Sequence, residues 1–133
     1  MEENKNHGFD WSPFTILIAE DDPANFKLLE GLLKRTNINI YHAESGTKAV
    51  TLCTIHDEIN IVLMDIQLPE LDGFEAAQKI KGCKPELPVI IITASIFNGD
   101  TPHFENPCYD GFIFKPFKLD HLIETVRKFL PVM

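Results

Sequence analysis

The stretch IVLMDIQLPELDG at residues 61–73 decides the fold of this chain. Four apolar residues run without interruption into Asp65, a pattern typical of a strand buried on both faces of a parallel sheet. A helical pattern then begins at Gly73. A buried strand followed by a helix is part of a βαβ unit, so this stretch predicts an α/β domain with a parallel sheet.

Three further segments repeat this pattern of an apolar run that ends in polar residues. They are FTILIAEDD at 14–22, VIIIT at 89–93 and FIFK at 112–115. The carboxyl ends of parallel strands share one edge of a sheet, so we expect their polar residues to meet in a crevice there. The residues expected at this site are Glu20, Asp21, Asp65, Thr93 and Lys115.

Periodicity and breakers divide the chain into five βα units. We expect strands at 14–19, 38–42, 59–64, from Pro88 onward, and at 111–114. We expect helices from Pro23 behind an Asp22 cap, at 46–56, at 73–81 with Gly82 ending it, and at 119–129. Asn98-Gly99, Pro102 and Pro107 fall where a further helix is needed, so we expect that helix to be short or irregular.

Length and composition narrow the class of protein. The chain has 133 residues, enough for one packed domain, and we expect residues 1–13 to be a leader or linker and residues 14–133 to be the domain. No apolar run approaches the ~20 residues that a membrane helix needs. The polar N-terminus lacks the apolar stretch of a secretory signal. We therefore expect neither membrane insertion nor export.

Cysteine usage and charge exclude further classes. The three cysteines show no C-x-x-C spacing, which argues against a disulfide framework and a structural zinc site and favours a reducing cytoplasm. The net charge of -8 has the wrong sign for a domain that grips phosphate backbones. We expect no direct binding to nucleic acid.

The acidic cluster itself suggests a cation. Three carboxylates close together repel one another unless a cation or a proton relieves them, and dense oxygen ligands favour a divalent ion such as Mg²⁺. Lys115 and Thr93 would complete an anion site beside it. An isolated Glu20-Asp21-Asp22 trio could equally be a helix-start acid cluster, and only its placement with Asp65, Thr93 and Lys115 favours the site.

The motifs I-L-I-A-E-D-D, M-D-I-Q-L-P-E-L-D-G, I-I-T-A and F-K-P-F stand in the order and spacing of a known family. Through them the chain closely resembles the receiver domain of two-component response regulators over about residues 14–130. The resemblance implies a flavodoxin-like, doubly wound (βα)5 fold whose five parallel strands have the order 2-1-3-4-5.

The resemblance also implies roles for site residues. Asp65 would accept a phosphoryl group from a phosphohistidine, and Lys115 would supply positive charge. Thr93 and Phe112 would form the conformational switch, although Phe112 stands where tyrosine is frequent. The domain would be a signalling phosphoacceptor that assists its own phosphorylation and dephosphorylation, rather than an enzyme.

The cofactor implied by the resemblance is Mg²⁺. Its side-chain ligands would be Asp21 and Asp65, with Glu20 acting through a bound water and Gln67 contributing its backbone carbonyl. The Lys115-Pro116 bond resembles the family's cis peptide.

A finer resemblance points to receivers that follow the kinase core of hybrid sensor histidine kinases, through the D-W-S leader and the D-G-F-I-F-K-P-F segment. It implies a chain excised from a membrane-tethered parent. The partner would be a histidine kinase core or a histidine phosphotransfer protein. It would dock along the first helix, on a face that includes Asn25, Phe26, Leu28 and Leu29.

Two other classes of function stay open. A pseudoreceiver would keep the fold as an interaction module without phosphotransfer. A Mg²⁺-dependent phosphatase on a similar sheet would place a second acid two residues after the nucleophile, where this chain has Gln67. The five histidines show no metal spacing, and we interpret them as surface or half-buried residues.

Overall fold

The computed structural model describes residues 10–93 and 109–131. In these ranges, five parallel strands form one sheet with the order β2-β1-β3-β4-β5. The strands are β1 Thr15–Ala19, β2 Asn39–Ala43, β3 Ile61–Asp65, β4 Val89–Thr93 and β5 Gly111–Phe114. The expected fold class and strand order are confirmed.

Four α-helices accompany these strands in the described ranges. They are α1 Pro23–Leu33, α2 Gly46–Ile55, α3 Gly73–Cys83 and α4 Leu119–Phe129, with a 3-10 turn at Lys34–Thr36. The short or irregular helix expected between β4 and β5 lies outside the described residues. None of the four helices is long and apolar enough to cross a bilayer.

Local signals set most helix ends. The Asp22 side chain accepts a hydrogen bond from the Ala24 amide at the start of α1, and Pro23 occupies the first turn, as predicted. The prediction that Gly82 ends α3 is wrong. The helix continues to Cys83, and the Lys84 amide still donates to the Ile80 carbonyl.

Two apolar layers enclose the sheet, one on each face. Alternate residues of one strand point to opposite faces, so Ile16 and Ile18 of β1 enter one layer while Leu17 and Ala19 enter the other. All five residues of β3 are buried. Each fully buried aliphatic side chain contributes about 1.5–3 kcal/mol, so this sheet is a rigid base for residues at its ends.

Trp11 packs into the layer that also holds α1 and α4, and it is only 5% exposed. Its amide donates to the Thr36 carbonyl at 2.7 Å, and its carbonyl accepts from the Phe14 amide at 2.9 Å. Core packing therefore reaches back to Trp11, although the sequence analysis assigns this residue to the leader.

Candidate functional site

The expected site residues lie at the carboxyl ends of adjacent strands. Asp65 and Thr93 are the last residues of β3 and β4, whereas Glu20 and Lys115 directly follow β1 and β5. The register pairs Thr93 with Phe114, so the ends of β4 and β5 are level. These residues therefore share one edge of the sheet, as the sequence predicts.

Asp65 lies at the centre of this edge and is 5% exposed. Its Oδ1 accepts a hydrogen bond from the Gln67 amide at 2.9 Å, and its Oδ2 accepts one from Lys115 Nζ at 3.1 Å. The bonds to an amide and an ammonium fix the orientation of this carboxylate. Asp65 is thus a fixed carboxylate next to a cation.

Glu20 is the most buried acid of the site, with 1% of its surface exposed. Its Oε2 accepts from the Asp22 amide at 3.2 Å, and its Oε1 lies 3.8 Å from Lys115 Nζ. Burial, and next the charge of Asp65, raise the pKa of Glu20 to about 7, while the Asp22 amide and Lys115 act in the opposite direction. Ionised Glu20 is consequently in an unfavourable place unless more positive charge arrives.

Two glycines let the loop from β3 to α3 pack closely, Gly73 against the end of β3 and Gly46 of α2 against Leu71. A Cβ on Gly73 would lie 2.3 Å from the Asp65 carbonyl oxygen, and one on Gly46 would lie 1.8 Å from the Leu71 carbonyl oxygen. The Gly73 amide donates to the Ile66 carbonyl at 3.0 Å. Only glycine allows these approaches without a backbone shift.

At the start of α3, Asp72 and Glu75 form a capping box. The Asp72 side chain accepts from the Glu75 amide at 2.9 Å, and the Glu75 side chain accepts from the Asp72 amide at 3.3 Å. The loop that follows Asp65 is therefore fixed at its far end by α3.

The oxygens at this edge fit a hard cation in part. Glu20 Oε1 is buried and has no hydrogen-bond partner among the described residues, which is the situation that a bound cation or its water would relieve. Asp21 is exposed. Across residues 10–93 and 109–131, no three His, Cys, Asp or Glu side chains converge as a ready metal site. The structure thus joins Glu20, Asp65 and Lys115 but does not bring Asp21 into a three-acid cluster.

The two expected switch residues differ in burial. Thr93 is 2% exposed, and its carbonyl accepts from the Lys115 amide at 2.9 Å. Phe112 is half-buried, with its ring centroid 4.6 Å from that of Tyr109 and 6.1 Å from that of Phe114. The expected cis peptide between Lys115 and Pro116 is confirmed.

The expected partner face on α1 is only partly accessible. Leu28 is 45% exposed, whereas Asn25 and Phe26 are half-buried. Leu29 is fully buried in the core, so its assignment to a docking face is wrong. Its position on the inward stripe of the helix places it against the sheet instead of in solvent.

Sequence reasoning missed His42, the fourth residue of β2. Its Nε2 lies 2.8 Å from the Glu20 carbonyl oxygen, and its ring stacks on Phe26 with centroids 3.7 Å apart and planes 12° apart. No motif marks this histidine. Only the pairing of Ile18 with His42 between β1 and β2 places it beside Glu20.

Comparison with known proteins agrees with this geometry. The family model of the response regulator receiver domain matches residues 16–127. Histidine kinase 3 of Arabidopsis thaliana is 31% identical over 86% of this chain, but the match spans only 13% of that protein. The response regulator DivK of Brucella abortus is 31% identical over 87% of this chain and 95% of its own length.

Solved structures show the same likeness. The receiver domain of sensor histidine kinase PA1611 from Pseudomonas aeruginosa, with magnesium in its active-site cleft, has a TM-score of 0.76 at 28% identity and covers 87% of this chain and 96% of its own. TrrA of Thermotoga maritima, in complex with Mg²⁺-BeF, has a TM-score of 0.79 at 29% identity, with coverage of 88% and 99%. The chain is a member of the response regulator receiver domain family.

Proposed function

We propose that this receiver domain accepts a phosphoryl group from a phosphohistidine onto Asp65, in a Mg²⁺-dependent reaction. The observation that carries the proposal is the pairing of Asp65 Oδ2 with Lys115 Nζ at 3.1 Å while Oδ1 is held by the Gln67 amide. A buried carboxylate with a fixed orientation and an adjacent cation is suited to attack a phosphoryl group and to neutralise its charge.

In the proposed step, an Asp65 oxygen attacks phosphorus and the bond between phosphorus and the histidine nitrogen breaks. The departing imidazole nitrogen keeps the electron pair and is protonated from its surroundings. Catalysis of such transfer is mostly positioning and charge stabilisation. The Lys115 ammonium would stay close to the transferred group, because the phosphoryl oxygens come to lie beside Asp65.

Mg²⁺ would be held by Asp21, Asp65 and the Gln67 carbonyl, with Glu20 acting through a bound water, and when bound it supplies positive charge to the phosphoryl oxygens. Two observations support its place here. The buried Glu20 Oε1 accepts no hydrogen bond among the described residues and has only Lys115 Nζ at 3.8 Å, and the PA1611 receiver holds magnesium in its cleft.

The output of phosphorylation would be a shift between two conformations. The Thr93 hydroxyl would bond a phosphoryl oxygen, and Phe112 would change its packing in response. Because phenylalanine has no hydroxyl, this movement would be a packing event alone. The phosphoryl group would bias an existing equilibrium.

We further propose that residues 14–133, with Trp11 packed against them, are the receiver part of a hybrid histidine kinase, that the rest of residues 1–13 is a leader, and that the domain faces the cytoplasm. The matches to plant histidine kinases support this arrangement, and the match to nearly the whole of DivK supports a free-standing regulator. An immunoblot of the native protein separates the two. A band far above 15.1 kDa supports the hybrid kinase.

Intact mass after incubation with acetyl phosphate tests the phosphotransfer proposal. We expect a gain of one phosphoryl group that needs Mg²⁺ and is absent in Asp65→Asn. Asp57→Asn is the matched control, because the Asp57 side chain is 92% exposed and lies away from the site. If the wild-type chain gains no phosphate from acetyl phosphate or from a histidine kinase partner, the domain is an interaction module instead.

A further inference from the structure

His42 connects two parts of the molecule that the proposed reaction uses. On one side, its Nε2 bonds the carbonyl of Glu20, the first residue of the acidic pair. On the other side, its ring lies flat on Phe26, which belongs to the α1 face expected to meet a partner. A carbonyl oxygen only accepts hydrogen bonds, so Nε2 must carry the proton in this contact.

We propose that His42 is a positioning residue that holds the peptide group between Glu20 and Asp21, and that Phe26 fixes the orientation of its ring. The proposal rests on the proposed function, since it assigns His42 a part in preparing the acidic pair for Mg²⁺. His42 itself would touch neither the cation nor the phosphoryl group.

The backbone around Glu20 explains why a side chain is needed there. The Glu20 amide donates to the Ala43 carbonyl at 2.9 Å, which continues the ladder between β1 and β2 by one bond. β2 ends at Ala43, and the next group along, the Glu20 carbonyl, is bonded by the His42 side chain. The plane of this peptide sets where the Asp21 side chain begins. If the bond from His42 is weakened, this peptide group can rotate, and the side chains of Glu20 and Asp21 both move.

The stacked ring makes the contact specific. With centroids 3.7 Å apart and planes nearly parallel, the imidazole cannot turn about its Cβ–Cγ bond without separating from Phe26. Phe26 thus keeps Nε2 aimed at the carbonyl. A phosphohistidine-bearing partner that presses on Phe26 would act on the same ring that holds the acidic pair.

Two substitutions separate the bond from the stack. His42→Phe keeps an aromatic ring but loses the donor. His42→Gln loses the ring but keeps an N–H donor, because the glutamine amide nitrogen lies as many bonds from Cα as the imidazole Nε2. His121→Gln, on the exposed side of α4, is the matched control.

The first readout is the Kd for Mg²⁺, measured by isothermal titration calorimetry. We expect His42→Phe to raise it about two- to tenfold, the ordinary worth of one intramolecular hydrogen bond. His42→Gln should restore most of the affinity. Equal Kd values for wild type and His42→Phe, or equal losses in both variants, would overturn the positioning role.

The second readout needs no metal. In ¹⁵N spectra of the Mg²⁺-free domain, we expect the Asp21 amide to shift in His42→Phe and to stay near its wild-type position in His42→Gln and His121→Gln. An unmoved Asp21 amide in His42→Phe would overturn the proposal. If the wild-type domain binds no Mg²⁺, the proposed function fails, and this amide shift still decides the role of His42.

Discussion

Buried polar groups are paired differently at the two ends of the parallel strands, which we call the amino edge and the carboxyl edge of the sheet. At the amino edge, the buried Thr36 hydroxyl donates to the Leu33 carbonyl and accepts from the Ile38 amide. At the carboxyl edge, the equally buried Glu20 leaves Oε1 without a hydrogen bond in the described structure. A buried oxygen without a hydrogen bond costs stability. Under the proposed function, the difference separates an edge built for folding from one that binds Mg²⁺.

Asn60 extends this comparison along the amino edge. The Asn60 side-chain oxygen accepts from the Thr15 amide at 2.8 Å, and the Asn60 backbone amide donates to the Thr15 carbonyl at 2.8 Å. The start of β3 is thereby tied to the start of β1. At the other end of the same strands, Asp65 and Glu20 are acids held near each other, and Lys115 is the nearby cation that offsets them. Hydrogen-bonded polar groups and the acidic candidate site thus lie at opposite ends of the same strands.

The largest effect expected is on stability at the amino edge. Trp11→Ala should lower the free energy of unfolding by about 3–5 kcal/mol, because it removes a buried aromatic side chain and leaves a cavity. The Kd for Mg²⁺ should stay unchanged, since Trp11 lies at the far end of the sheet from Glu20. Urea unfolding measures the free energy of unfolding. It is followed by circular dichroism, because Trp11 is the sole tryptophan and the variant therefore has no tryptophan fluorescence.

Phe114→Ala is a useful control for this variant. Phe114 is 41% exposed, so its loss should cost less than that of Trp11 although both side chains are large. A clear change of Mg²⁺ affinity in Trp11→Ala would show that the two edges are not energetically separate.

Gly73→Ala should combine a stability loss with a functional loss. The added Cβ would meet the Asp65 carbonyl at 2.3 Å, so the loop or the end of β3 must shift, at a cost of about 1–3 kcal/mol. Phosphorylation of Asp65 by acetyl phosphate should slow. Gly31→Ala is the control, since a Cβ on that helical glycine meets nothing within 4 Å. It should stabilise α1 by up to about 1 kcal/mol. Equal behaviour of the two variants would contradict the close packing at Gly73.

Glu20→Gln should have a smaller effect, and in the opposite direction. The pKa of Glu20 is raised in the folded state from its ordinary value of 4.5 to about 7, so the Mg²⁺-free domain loses stability as pH rises through that window. Glutamine does not ionise. The variant should therefore flatten this pH dependence and gain on the order of 1 kcal/mol at pH 8.

Urea unfolding in EDTA at pH 5 and pH 8 measures this change, with Glu30→Gln on exposed α1 surface as the control. Saturating Mg²⁺ should stabilise the wild type by about 2.7 kcal/mol at 100 times its Kd, and the variant by less. A variant that unfolds more easily than the wild type at pH 8 would contradict the unfavourable placement of ionised Glu20.

The elements that sequence predicts well are those with one dominant signal. β5 at Gly111–Phe114 and α4 at Leu119–Phe129 have the expected bounds, because an apolar run and a helical stripe each end at clear breakers. The site residues at strand ends follow from topology alone. The prediction that Gly82 ends α3 was wrong. A glycine commonly ends a helix where the backbone turns left-handed, but here the helical hydrogen bonds continue past Gly82.

The two remaining differences have different causes. Leu29 lies on the inward stripe of α1, so helical periodicity itself indicates that it is buried and does not face a partner. His42 depends on the register between β1 and β2 and on the ring of Phe26, two contacts between segments far apart in sequence. Motifs locate Asp65 and Lys115, whereas the groups that orient them appear only in three dimensions.

The smallest effect on stability is expected for Leu28→Ala, next to the buried Leu29. Leu28 is 45% exposed, so Leu28→Ala should change the free energy of unfolding by no more than about 0.5 kcal/mol. Leu29→Ala, in the core one residue further on, should cost about 2–5 kcal/mol. The Leu28 side chain is thus available to a partner at little cost to the fold.

If α1 is the docking face, Leu28→Ala should raise the KM for phosphotransfer from a phosphohistidine partner and leave the rate with acetyl phosphate unchanged, because a small donor needs no docking surface. Stopped-flow or gel-based transfer assays measure both rates on one preparation. Loss of both activities would mean that Leu28 acts through the site and not through a partner. If both activities are unchanged, the partner docks away from this part of α1. The docking face would then have to be sought on a different surface of the domain.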